Sequence, residues 1–156
     1  MSVETVRAYL QQFGKDQAVR ELDTSSATVE LAAQALGVEG ARIAKTLSLH
    51  GPGGCILVVT AGDRKINSSK FKARFGVKAK MLTPEEALAY TGHAVGGVCP
   101  FGITNPQVSV YLDESLQRFD TVFPAAGSSN SAIELTCQEL VTLSRSCGWV
   151  DVCAPL

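Results

Sequence analysis

The chain reads as an α+β fold, a single domain over residues 1–156 with a mixed central sheet and flanking helices. Three observations predict it. Apolar residues recur at helical spacing in several short stretches. Two strand-like stretches, residues 43–49 and 55–60, are joined by His50-Gly51-Pro52-Gly53-Gly54, short enough for a hairpin. Ile56-Leu57-Val58-Val59 is apolar without a break, as in a strand buried on both faces. Hairpins mixed with interspersed helices favour a mixed sheet over a doubly wound parallel one. With 46% hydrophobic and 19% charged residues, the chain can bury one sizeable core.

In order, Val3, Val6, Leu10 and Phe13 place an amphipathic helix in the first fifteen residues, stopped by Gly14. A short extended piece precedes a second helix. Thr28 caps it, Glu30 complements its positive end, Leu31, Ala32, Ala35 and Leu36 form its apolar stripe, and Gly37 stops it. After the hairpin, Ser68 or Ser69 opens a helix with Phe71 and Phe75 on one face and Lys70 and Arg74 beside it. Residues 78–82 are expected as a strand. Thr83-Pro84-Glu85-Glu86 combines a capping box with proline at the first helical position, and Gly92 ends that helix. Residues 108–112, 121–123 and 132–135 read as strands, Thr136 and Glu139 open a final helix through Leu140, Leu143 and Ser144, and residues 149–152 suit an edge strand.

Composition excludes several classes. No apolar run approaches the ~20 residues that cross a bilayer, and Met1-Ser2-Val3-Glu4 does not open a signal peptide, so a cytoplasmic protein without a membrane partner is expected. Five scattered cysteines without a CxxC pair fit neither a disulfide framework nor a zinc knuckle. With only His50 and His93 as imidazoles, neither metal nor cofactor is expected. The net charge of -1 is uneven: residues 63–80 carry Arg64, Lys65, Lys70, Lys72, Arg74, Lys78 and Lys80 against Asp63, net +6, and the remainder is -7. Such a segment fits a phosphate-bearing partner, and equally a solvated charged face.

Lys45 interrupts the apolar alternation of residues 43–49. Period-two parity places it with Ile43, Leu47 and Leu49, on the side a sheet turns toward its core. An ammonium there needs a partner or a ligand, or snorkels to solvent. Two loops have ligand-binding composition. Gly92-His93-Ala94-Val95-Gly96-Gly97-Val98-Cys99-Pro100-Phe101-Gly102 combines close-approach glycines with a stiffening proline, matches no nucleotide-binding signature, and offers Cys99 as a candidate nucleophile. Ala126-Gly127-Ser128-Ser129-Asn130-Ser131 supplies small donors without the setting of a hydrolase elbow.

Thr28-Val29, Ala32-Ala33, Leu36-Gly37-Val38, Ile43-Ala44-Lys45-Thr46-Leu47, Gly62-Asp63, Thr91-Gly92, Gly96-Gly97-Val98-Cys99-Pro100-Phe101-Gly102 and Asp113-Glu114-Ser115-Leu116 together resemble the YbaK / prolyl-tRNA synthetase-associated (ProX-like) editing domain family. The resemblance covers residues 20–143 or so. It implies a free-standing trans-editing hydrolase that deacylates mischarged aminoacyl-tRNA, carrying a small amino acid on tRNA-Pro or a related tRNA. It implies activity dependent on Lys45, with the Gly96-to-Pro100 loop holding the aminoacyl group. Substrate contacts are then expected at Thr46, Gly96, Gly97, Val98, Cys99, Pro100, Gly127, Ser128, Ser129 and Asn130. RNA contacts are expected at Arg64, Lys65, Lys70, Lys72 and Arg74, with an aminoacyl-tRNA synthetase as a further partner and no DNA. Where members acting on cysteinyl-tRNA carry a serine before Ala-Gly and an acid seven residues later, this chain has Ala125 and Ala132, which implies a pocket for a small polar or small apolar side chain. The alternatives are a non-catalytic module that binds tRNA or a synthetase, and a small-molecule hydrolase using Cys99.

Overall fold

A computed structural model of the chain describes residues 3–94 and 96–156. Met1 and Ser2 of the expected first helix and Val95 of the glycine loop lie outside the described residues.

Helix α1 (Val3–Gln11) buries Val3, Val6 and Leu10, and the chain turns at Gly14, φ 71°. Strand β1 (Arg20–Glu21) leads to α2 (Val29–Leu36), where Thr28 accepts a bond from the Leu31 amide and Gly37 adopts the left-handed conformation at the far end. Strands β2 (Ile43–Gly51) and β3 (Gly54–Ala61) form the expected hairpin, with Gly51 paired to Gly54 so that only Pro52 and Gly53 turn. After β4 (Arg64–Ile66) comes α3 (Ser68–Phe75), capped by Asn67 rather than by Ser68 or Ser69. The Asn67 side chain accepts from the Lys70 amide, as an asparagine at this position does at least as well as serine. Helix α4 (Pro84–Thr91) has the full capping box and stops at Gly92.

Strands β5 (Val108–Asp113) and β6 (Thr121–Pro124) follow the expected pattern. The strand expected at 132–135 is two: β7 (Ser131–Ala132) pairs with β1, and β8 (Leu135–Thr136) pairs with β6. Helix α5 (Cys137–Ser144) opens on the second capping box. The expected edge strand shortens to β9 (Trp149–Val150), and β10 (Cys153–Pro155) pairs instead with β4. The strand expected at 78–82 reduces to one bridge, Met81 to Leu49, because Thr83 and Pro84 turn the chain into α4 before pairing can extend.

Six strands form the mixed sheet in the order β8-β6-β2-β3-β5-β9. The β2/β3 and β6/β8 pairs are antiparallel, and β2/β6, β3/β5 and β5/β9 are parallel. One face carries the main core, with Leu57, Val59, Val110 and Leu112 packed among Val6, Leu10, Phe101 and Leu140. The other face carries two smaller clusters. Leu49, Ile56 and Val58 pack under Phe71 of α3, and Ile43 packs with Phe123 under Ala32 of α2. Strand β3 is thus buried on both faces, as its unbroken apolar run predicts.

Candidate active site

The parity of β2 explains the lysine. Lys45 does share a face with Ile43, Leu47 and Leu49, but the main core lies on the opposite face. Ile43 belongs to the α2 cluster and Leu47 and Leu49 to the α3 cluster, so Lys45 stands in the gap between two apolar clusters. That gap is a pocket of about 360 Å³, lined by Lys45 with Thr46, Ala32, Phe123, Met81 and Thr83 among others. Lys45 is half-buried and has no carboxylate within ion-pair distance among the described residues. Burial pushes its ammonium below the usual lysine range, opposed by the negative potential of Cys153, Asp63 and Glu30. Because burial raises the Cys153 thiol to about 12, that group is neutral at pH 7, and the two carboxylates supply the opposing field. Asp63 is itself held ionised by a bidentate Arg118 pair, at 2.6 and 3.0 Å.

The pocket also lies against an open edge of β2. On the outer side of this strand β6 pairs only with Ile43 and Ala44, and the next contact is the bridge from Leu49 to Met81. The hairpin register, closed at Gly51 and Gly54, directs odd-numbered backbone groups of β2 to β3 and even-numbered ones outward. The outward bonds from the His50 amide to Lys80 and from the Leu82 amide to the Ser48 carbonyl follow this rule. Thr46 therefore presents its N–H and C=O to the pocket edge, where no strand among the described residues reaches. Its hydroxyl is also buried without a partner. Buried polar groups are normally satisfied, so the unmet Thr46 backbone groups at the pocket edge, next in sequence to the Lys45 cation, mark a place suited to a polar ligand.

The glycine loop forms the facing wall. Gly96 and Val98 line the pocket. Gly97 does not; a Cβ on it would lie 2.8 Å from the Ser128 amide nitrogen and 2.9 Å from the Gly127 carbonyl, so only glycine lets the two loops touch. Ser129 and Asn130 in turn tie down the approach to α2, accepting bonds from the Ser26 and Leu22 amides at 2.6 and 2.7 Å. Gly127, Ser128, Ser129 and Asn130 thus form a supporting layer, and Ala125, Ser131 and Ala132 supply the surface that faces the pocket. Pro100 borders a different cavity.

Cys99 has no exposed surface, and burial raises its thiol to about 12. It sits 3.6 Å from His93 Nε2, which is 2.8 Å from the Phe101 carbonyl oxygen, inside the main core. The nucleophile reading fails on those grounds, because a thiol must ionise and be reached to attack. Brief iodoacetamide treatment of native protein should label the exposed Cys147 and leave Cys99 unmodified by peptide mass spectrometry. Labelling of Cys99 at a comparable rate would contradict this burial.

The N-caps Thr28 and Thr83, read from sequence only as helix starts, both line the pocket. They bring the positive ends of two helices to its mouth. The basic residues lie on the sheet face that carries Lys45. Lys70 bonds Asp151 at 3.0 Å and the Cys153 carbonyl at 3.2 Å. Arg74, at the other end of α3, stacks on Phe75 and Tyr111 at 5.1 and 5.3 Å. Lys65 and Lys72 are exposed, and Arg64 is half-buried beside Asp63.

Residues 23–143 match the model of the aminoacyl-tRNA editing domain. The chain belongs to that family. YwhH of Bacillus subtilis (strain 168), of uncharacterised function, is 54% identical over 154 residues, 98% of each chain. EbsC of Enterococcus faecalis, whose name proposes a Cys-tRNA(Pro)/Cys-tRNA(Cys) deacylase, is 32% identical over 120 residues, covering 76% of this chain and 73% of EbsC. The crystal structure of a candidate trans-editing enzyme for prolyl-tRNA synthetase superposes with TM-score 0.86 at 32% identity, over 96% of this chain and 95% of that one. The editing-domain fold with its mixed sheet is therefore the fold of this chain, and the family is the one its motifs resemble.

Proposed function

We propose that the chain hydrolyses the ester of a mischarged aminoacyl-tRNA bearing a small amino acid, on tRNA-Pro or a related tRNA. The observation that carries this reading is the unpaired Lys45 beside the unmet Thr46 groups, on the wall of a pocket closed by the glycine loop. Water adds to the ester carbonyl carbon, the carbonyl oxygen becomes an oxyanion, and the bond to the ribose oxygen then breaks. Free amino acid and tRNA with its terminal hydroxyl restored are the products. A fixed ammonium with a backbone N–H suits the developing oxyanion, and an activated ester asks for little more than orientation and charge stabilisation. A ribose hydroxyl of the tRNA assists in positioning the water. Ala125 and Ala132 at the pocket surface support a small side chain over cysteine. Rejection of one extra methylene supplies only ~1–3 kcal/mol, so part of the selectivity falls to the tRNA.

The test is a panel of charged tRNAs spanning small and large amino acids. Faster deacylation than in buffer is expected for small amino acids on tRNA-Pro. Normal tRNA binding with no turnover anywhere on the panel would instead indicate a non-catalytic module. The basic segment gives a separate expectation. Lys65→Glu with Lys72→Glu should raise KM several-fold and reduce the salt dependence of kcat/KM, with kcat nearly unchanged. An unaltered salt slope would place the RNA on another face. Association with a synthetase fits a trans-acting factor, and co-elution with prolyl-tRNA synthetase in the presence of tRNA would support it.

A further inference from the structure

Beyond the glycine loop lies a second cavity of about 210 Å³, walled by α1, the loop, β5 and the end of α5. We propose that it binds a small organic carboxylate. Arg145 stands at its wall and is the single non-glycine residue with positive φ among the described residues, at 51°. That backbone conformation ends α5, a task glycine performs without strain, so the guanidinium is what this position adds. It stacks 5.2 Å from the Tyr9 ring centroid and, among the described residues, has one polar contact, 3.4 Å to the Gln12 amide oxygen. No carboxylate lines the cavity, and none pairs with Arg145 among the described residues.

A second observation points the same way. Ser144, 3% exposed and part of the wall, has a hydroxyl without a hydrogen-bond partner among the described residues. Asn105 turns its oxygen back to the Gln107 amide at 2.9 Å, which leaves its NH₂ as a donor. Three of the carbonyls in the last turn of α5 are occupied. Tyr9 O–H donates to Leu143, the Arg145 amide to Thr142 and the Ser146 amide to Val141. Ser144, Asn105 and the cation of Arg145 thus line one cavity, beside an apolar wall of Ile103, Val108 and Val110. A planar carboxylate with a short hydrocarbon body satisfies both parts, since a guanidinium binds that group through two parallel bonds. The volume is below the ~300–1,000 Å³ typical of drug-sized pockets, so the body is limited to a few carbons.

Hexanoate and hexanamide, which share a body and differ in charge, are the probes, titrated into the full chain and followed by backbone amide NMR. Hexanoate should shift amides at 100–110 and 144–147 saturably, with hexanamide roughly tenfold weaker or more. Arg145→Gly suits the left-handed backbone and should retain the free-state spectrum while weakening hexanoate by at least about tenfold. Arg145→Asn, which also tolerates that conformation, is the second variant. Lys45→Met should bind hexanoate as the parent does, and this separates the cavity from the Lys45 pocket. The proposal is overturned by absence of saturable shifts, by equal binding of acid and amide, by undiminished binding in both Arg145 variants, or by loss confined to Lys45→Met.

Discussion

Lys45→Met is expected to reduce single-turnover deacylation by a factor on the order of 10²–10³ while leaving the protein as stable as before, or more so. The activity loss would follow from removing the cation proposed to face the developing oxyanion. The stability gain follows from burial. The ammonium stands half out of water with no ion pair among the described residues, and its proton affinity is lowered by desolvation, so the charged form is disfavoured in the folded chain. Methionine fills the same gap without that cost, for a small increase in stability, since solvent screens much of the penalty on a half-buried charge. The pH dependence has a definite sign. Because Lys45 has a lower pKa folded than unfolded, the unfolded chain keeps the proton to higher pH and the parent gains stability as pH rises toward 10.5. The advantage of the methionine variant should therefore be largest near neutrality and shrink in alkali. Paired denaturation curves at pH 7 and pH 10 measure it. An advantage that grew with pH, or a variant that kept full activity, would remove Lys45 from the role proposed for it.

Gly62→Ala should lower stability by about 1–3 kcal/mol, seen as a drop in Tm of several degrees. Gly62 follows β3 at a point where a Cβ would strike the Gly40 carbonyl and come within 2.8 Å of Val29 Cγ1. Neither neighbour can yield cheaply. Gly40 is backbone, and Val29 opens α2 and lines the Lys45 pocket. Deacylation should fall together with stability, because the displaced element carries one wall of the site. Gly53→Ala is the matched control, since a Cβ there meets nothing within 4 Å. Equal melting temperatures for the two variants would contradict this packing.

The elements that sequence displays most clearly are those whose signals are local. Thr83 with Glu86, Thr136 with Glu139, and the glycines after α2 and α4 fix helix ends through contacts three or four residues apart, and they stand where the pattern puts them. Residues 78–82 and 132–135 depend on what pairs with them. Lys80, Met81 and Leu82 find β2 for only one bridge, and Ala132 and Leu135 serve different partners, which no short window contains. The site divides in the same way. Lys45 is legible as a charge that violates an alternation, and the glycine loop as a composition. Which face of β2 holds the main core is not legible, because the even-numbered face of Ala44, Thr46, Ser48 and His50 is the more polar of the two and yet turns toward it, while Ile43 and Leu49 enter the smaller clusters. Cys99 and Pro100 belong to the loop by sequence, yet one enters the core and the other borders a different cavity.

The open stretch of β2 beside Thr46 bears on how such a domain can diverge. The residues that shape the pocket on the α2 side, Ala32, Ile43 and Phe123, form a small packing unit apart from the main core. Exchanges within it alter the volume offered to a side chain without disturbing the packing beneath β3 and β5, where the largest core cluster lies. Backbone groups of Thr46 would then contribute to chemistry whatever side chain stands there, since any residue but proline has the same N–H. On the proposed reading, selectivity and turnover would fall on separable parts of the chain, and a few substitutions would retune the scaffold between aminoacyl groups.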